Sequence, residues 1–269
     1  MIQNIETIRH AAVSGLFYPA DPHELHEQIT NFLAAASTTS SIGQAPLALI
    51  VPHAGYIYSG PIAASAYINL RPLRNHIQRV VVLGPSHRVG FRGLATSSAT
   101  FFTTPLGNIK LDTITTEQLN QLPQVQTIDA AHAQEHSLEV QLPFLQEVLG
   151  EFELVPIVVG DATANDVAEV IDMAWQDDST LIVISSDLSH YHEYSSAQKM
   201  DRHTCTAIES LNPDAIGDED ACGRNPVKGL LTVAQQRGLQ IHTLDLRNSG
   251  DTAGDRNQVV GYGAWSVSR

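Results

Sequence analysis

Three stretches of this chain are apolar at every position: Leu47-Ala48-Leu49-Ile50-Val51, Val80-Val81-Val82-Leu83 and Leu181-Ile182-Val183-Ile184. Runs of strand length without polar alternation are buried on both faces, as in a parallel sheet covered by helices. Each run breaks off in a similar manner. The first meets Pro52-His53, the second Gly84-Pro85-Ser86-His87, and the third Ser185-Ser186-Asp187-Leu188-Ser189-His190. Proline cannot donate to a sheet ladder, so Pro52 and Pro85 mark strand ends. Ligands of open α/β sheets bind beyond the carboxyl ends of the strands. His53, His87 and His190 are therefore expected at the mouth of one site.

The segments between these runs carry helical signals. Asp21-Pro22 opens a helix with an apolar stripe at Leu25, Ile29, Phe32 and Leu33. Pro61 is expected at the first position of a second helix, and residues 115–122 form a short third. The helical spacing of Leu138, Leu142 and Leu145 is interrupted by Pro143, which implies a kink or a restart. Helices over 164–175, 195–211 and 226–237 alternate with strands over 154–159, 240–246 and 259–267. Residues 36–45, rich in Ser, Thr and Gly, read as an exposed loop. No repeat or linker divides the chain. The expectation is one α/β domain over 1–269, with a central, mostly parallel mixed sheet flanked by helices.

Composition narrows the function classes. A net charge of −14 leaves too few cations for a nucleic-acid surface. The cysteines, Cys205 and Cys222, form no CxxC pair, which fits a reducing compartment. No apolar run approaches the ~20 residues that span a bilayer. A cytoplasmic protein without membrane or nucleic-acid partners is expected. Twelve histidines against fifteen lysines and arginines raise the question of metal or proton chemistry.

Beside the three strand-end histidines, Asp251 lies in a loop directly after the 240–246 strand. Two neutral imidazoles and one carboxylate, with open positions, form the facial set of non-haem Fe(II) enzymes, and Zn²⁺ can use the same donors. Asp187, three residues before His190, is placed to orient an imidazole or to cap the turn. His136 and Glu139 share one helical face and are expected in the pocket wall, behind the ligands. Phe17, Tyr56 and Tyr58 are candidates for an aromatic lining or for the core. His192 is a spare ligand on the same side as His190 in extended chain. Cys222 precedes Gly223 near a helix start, where thiol acidity can rise, and a buried inert thiol is the competing role.

Six segments occur in order: Gly15-Leu16-Phe17-Tyr18-Pro19, Pro52-His53-Ala54-Gly55-Tyr56-Ile57-Tyr58-Ser59-Gly60, Leu83-Gly84-Pro85-Ser86-His87, Glu135-His136-Ser137-Leu138-Glu139, Ser185-Ser186-Asp187-Leu188-Ser189-His190 and Ala221-Cys222-Gly223-Arg224. Together they resemble the Memo family, whose bacterial members are called AmmeMemoRadiSam system protein B, over essentially the whole chain. That family is similar in fold to LigB-type class III extradiol dioxygenases. The resemblance implies that His53 and His87 are metal ligands and that His190 is the acid–base. It puts Asp251 at the third ligand position, where animal Memo proteins have cysteine and the extradiol enzymes glutamate. It further implies Fe(II), with Zn or Cu as alternatives, and association with an AMMECR-type protein and a radical SAM enzyme. The function expected is a dioxygenase-like oxidoreductase acting on a small catechol-like substrate. The alternative is a non-catalytic module that binds a phosphorylated peptide in the same pocket, and a third reading is a metal-dependent hydrolase.

Overall fold

The computed structural model describes residues 6–36 and 45–269; most of the loop expected over 36–45 lies outside them. The strands are β1 (Ile8–Arg9), β2 (Ala48–Val51), β3 (Arg79–Pro85), β4 (Leu94–Thr96), β5 (Phe101–Thr104), β6 (Gly107–Lys110), β7 (Val125–Thr127), β8 (Glu153–Val159), β9 (Thr180–Ser185), β10 (His190–His192), β11 (Gln240–Asn248) and β12 (Val259–Ser268). The helices are α1 (Pro22–Ala35), α2 (Tyr56–Tyr67), α3 (Thr113–Leu119), α4 (Asp129–Ala133), α5 (Leu142–Leu149), α6 (Ala164–Ala174), α7 (Tyr194–Glu209) and α8 (Arg224–Arg237).

A nine-stranded mixed sheet runs in the order β10-β12-β2-β9-β3-β8-β4-β7, with β11 on β12. Its centre is parallel: β2, β9, β3 and β8 all point the same way. Three of these, β2, β3 and β9, are the apolar runs. Every residue of β2 and β9 is buried, as both faces are covered. One apolar cluster, with Leu49, Val80, Val82 and Val183, packs under α1, α2 and α5. The other, with Ile50, Val81, Leu83 and Ile184, packs under α6 and α8. A separate three-stranded sheet has the order β1-β5-β6. The α/β architecture expected from the sequence, a mixed sheet flanked by helices, is the one observed, and it is consistent with a LigB-like fold.

Local details differ. Helix α2 starts directly after Gly55, so Pro61 lies inside it rather than at its first position. Helix α3 begins earlier than expected because Asp112 caps it, its side chain accepting from the Thr115 N–H. The Pro143 question resolves as a restart: a 3₁₀ turn over Glu139–Gln141 leads into α5, with Pro143 in its first turn. No helix among the described residues is long and apolar enough to cross a membrane.

Candidate metal centre

His53, His87 and Asp187 leave the carboxyl ends of β2, β3 and β9, three neighbouring strands of the sheet. The apolar runs thus aim their polar successors at one place. His53 is 1% exposed, and its Nδ1 lies 2.9 Å from Ser185 Oγ. That hydroxyl is 2.6 Å from the Ser137 carbonyl and 2.7 Å from Gln141 Nε2. The Gln141 amide is oriented by Tyr67, whose hydroxyl donates to Oε1, and by the Pro52 carbonyl, which accepts from Nε2. A hydroxyl has one proton, and Ser137 takes it. Ser185 therefore accepts from Gln141 and from His53 Nδ1–H, and this network leaves the His53 Nε2 lone pair free. Burial, and then the neighbouring charges of His87, His136 and His190, hold the His53 pKa well below the ordinary histidine value, so the ring is neutral.

His87 is held by Glu135. One carboxylate oxygen accepts from the His87 backbone N–H at 2.6 Å, and the other lies 2.8 Å from its Nδ1. The second oxygen also accepts from the N–H groups of His136 and Ser137, each at 2.9 Å. Burial opposes ionisation of Glu135, but the hydrogen bonds and charge of His87 outweigh it and bring the pKa to about 2. The anion fixes His87 as the Nδ1–H tautomer, with Nε2 as a free donor. Gly84 makes this approach feasible, since a Cβ there would stand 2.8 Å from Ser137 Oγ.

His136 completes the group. Its ring stacks on His87 at 4.5 Å between centroids, and Phe17 covers it at 4.8 Å. Its Nδ1 leans to within 3.3 Å of Glu135. Burial, with the charge of His87, lowers its pKa to about 4. Potential ligand atoms of His53, His87 and His136 all lie within 4.8 Å of one another. Three imidazoles, two with their Nδ1 positions occupied by protein partners, fit a divalent transition metal.

The structure does not bring Asp251 to this group. β12 stands between β11 and β2, so Asp251 follows a strand that is not a neighbour of the strand of His53. Asp251 instead closes a 3₁₀ turn: it accepts from the Asn248 N–H and, at 2.5 Å, from the Tyr194 hydroxyl. It lines a separate surface cleft with Lys199, Arg202 and Asn248. The carboxylate of the centre is Glu135, acting through the Nδ1 of His87. His136, expected behind the ligands, stands among the candidate donors.

Other residues also depart from expectation. Glu139 faces away from His136: its carboxylate is ion-paired with Arg9 and accepts from the N–H groups of Ala12 and Val13 and from the Tyr18 hydroxyl. It thereby fastens the irregular segment that lays Phe17 on His136. Tyr56 is core, with its hydroxyl on the Val140 carbonyl, while Tyr58 is half-buried. Asp187 holds the His53 backbone N–H at 2.7 Å rather than an imidazole, and burial raises its pKa to about 7. Cys222 is not acidified. Burial and then the Asp187 charge push its thiol pKa up, and its Sγ lies 3.3 Å from His53 Nε2. Gly223 allows that contact, because a Cβ there would lie 2.6 Å from Ser186 Cβ.

His190 is half-buried and outside the three-histidine group, but close enough for its charge to act on His53. Burial lowers its pKa, with the charges of His87 and His192 adding to the effect. His192 bears on Asp201, and a bulge between residues 190 and 192 breaks the alternation that would put both histidines on one side. Sequence reasoning overlooked Glu135 and Ser185. Glu135 directly precedes His136, and Ser185 is the last residue of β9; an acid or hydroxyl at such positions is the signal.

The same chain is similar to known proteins over most of its length. The Memo-like protein family model matches residues 9–266. A MEMO1 family protein of Sulfolobus acidocaldarius is 34% identical, over 95% of this chain and 97% of its own length. One from Aquifex aeolicus is 36% identical, again over 95% and 97%. Among solved structures, the uncharacterized protein JW3007 from Escherichia coli K12 superposes with a TM-score of 0.50 at 12% identity. That overlap covers 81% of this chain and 99% of the other, a likeness of fold. With a family match spanning the sheet, the histidine group and the Cys222 loop alike, this chain belongs to the Memo-like family.

Proposed function

We propose that this chain is a metal-dependent, dioxygenase-like oxidoreductase, with Fe(II) held by His53, His87 and His136, acting on a small catechol-like aromatic. The observation that carries the reading is the convergence of three imidazoles within 4.8 Å, two of them with Nδ1 committed to Ser185 and Glu135. Bound there, the metal would template a catecholate beside O₂ and pass electron density between them. The protein's own groups do the rest. Ser185 and Glu135 keep two rings in the donating tautomer, and Phe17 shields His136 from water. Neutral at pH 7 because burial lowers its pKa, His190 can take a phenolic proton and return it.

Anaerobic reconstitution with Fe(II), followed by oxygen uptake over a panel of catechols, tests the reading. His190→Ala should keep its metal and lose turnover by ~10²–10⁴-fold. Fully loaded protein that consumes no oxygen with any catechol would overturn the assignment. One observation supports a second reading. Without a carboxylate among the donors, Zn²⁺ would keep its full charge and acidify a bound water, as a hydrolase requires. Ester or phosphate cleavage by the Zn²⁺ form, with no oxygen uptake by the Fe(II) form, would favour it.

A further inference from the structure

The carboxylate that misses the histidine group stands in a cleft of about 560 Å³, where Asp251 is joined by Lys199, Asp201, Arg202, Arg247 and Asn248. Helix α7 supplies one wall and the end of β11 the other. That volume suits a small molecule. The protein carries a net charge of −14, yet three of its fifteen lysines and arginines line this one cleft. Two of the charges are already matched. Arg247 donates twice to Asp245, at 3.0 and 2.5 Å, and Asp251 accepts from the Asn248 N–H and the Tyr194 hydroxyl. Lys199 and Arg202 are exposed, and their side chains enter no ion pair among the described residues.

Asp201 is a different kind of lining residue. It is 3% exposed, on the side of α7 that meets β12. Its Oδ1 accepts from the Ser189 N–H at 3.1 Å, while its Oδ2 accepts from no described residue and the side chain opens on the cleft. Buried carboxylates ordinarily have their oxygens filled, because a charge taken from water without partners is destabilising. The fold also makes room for this one. Gly261 faces it on β12, where a Cβ would stand 2.2 Å from Oδ2. Burial raises the Asp201 pKa to about 6, which still leaves the group largely anionic at pH 7. An apolar residue between α7 and β12 would serve folding better, so the carboxylate calls for a ligand.

We propose that the cleft between α7 and the end of β11 is a second ligand site, which binds a small amino-acid-like zwitterion with its ammonium on Asp201 and its carboxylate on Lys199 and Arg202. The charge pattern selects that class. A simple anion would meet Asp201 and Asp251, and a simple amine would leave Lys199 and Arg202 without a counter-charge. An ammonium donates to the open Oδ2 in a partly dry setting, where a charge-assisted hydrogen bond is strongest. The two cations, being exposed, add less. The site does not depend on a metal at the histidine group.

The test titrates the full chain calorimetrically at pH 7.5 with 4-aminobutyrate and 6-aminohexanoate, which span two lengths. Butylamine, butyrate, hexylamine and hexanoate are the single-charge controls. At least one zwitterion should bind about 10-fold more tightly than its matched amine and carboxylate. Asp201→Asn should weaken that zwitterion about 10-fold or more, and Lys199→Gln with Arg202→Gln about 3- to 10-fold. His53→Ala should leave the affinity unchanged. Absence of binding by both zwitterions, or a matched control that binds equally well, overturns the site. So does wild-type affinity in a folded Asp201→Asn protein, or loss of binding in His53→Ala alone, which would put the probe on the histidine group. Should Asp201→Asn fail to fold, the exposed Lys199→Gln/Arg202→Gln protein decides, and its unchanged affinity overturns the proposal.

Discussion

Glu135→Gln separates the roles of charge and shape at the candidate metal centre. The native carboxylate is buried, with 1% of its side chain exposed, and both of its oxygens accept hydrogen bonds. An amide can accept at one position only. Wherever its NH₂ is placed, it meets an N–H of His87, His136 or Ser137. Two effects follow. The depression of the Glu135 pKa from 4.5 to about 2 corresponds to roughly 3 kcal/mol of stability. That contribution is present above pH 4.5 and is lost as pH falls through the folded value. Replacing the partner that orients a ligating histidine also typically lowers metal affinity by ~10–100-fold, about 1.4–2.7 kcal/mol. Urea unfolding of the metal-free protein at pH 7 reads the first effect, and competition for Zn²⁺ with a chromophoric chelator reads the second. A variant as stable as wild type that binds Zn²⁺ equally well would refute the reasoning.

Two further substitutions probe the surroundings. Glu139→Ala leaves Arg9, 8% exposed, without its carboxylate, and should destabilise by ~3–5 kcal/mol in urea unfolding; a change near zero would mean that the pair does not hold the segment bearing Phe17. His132 is buried outside the metal group, and burial lowers its pKa from 6.5 to about 4. The unfolded chain therefore binds the extra proton first. Relative to His132→Gln, wild type should lose up to ~1.4 kcal/mol per pH unit as pH falls from 6.5 towards 4, and parallel stability curves would contradict the assignment.

The parts of the fold that were legible are those where one physical rule dominates. Unbroken apolar runs must be buried on both faces, which located β2, β3 and β9 and placed His53 and His87 at their ends. His136 and Glu135 were harder to read because they sit between α4 and a 3₁₀ turn, with no strand before them to aim them. Their positions depend on Gly84 and Ser137 packing, a contact across about fifty residues that no local pattern encodes. Cys222 reaches His53 across 169 residues, again through a glycine that admits close approach. Asp251 misled for a topological reason. It does follow a strand, but the antiparallel β12 intervenes, and the local Asn248 and Tyr194 contacts claim its carboxylate.

Metal stoichiometry by mass spectrometry on anaerobically purified protein tests the central claim most directly, with His136→Ala and Asp251→Ala compared side by side. The geometry predicts one equivalent of metal in wild type and in Asp251→Ala, with loss in His136→Ala. Metal retained by His136→Ala and lost from Asp251→Ala would contradict the three-histidine centre.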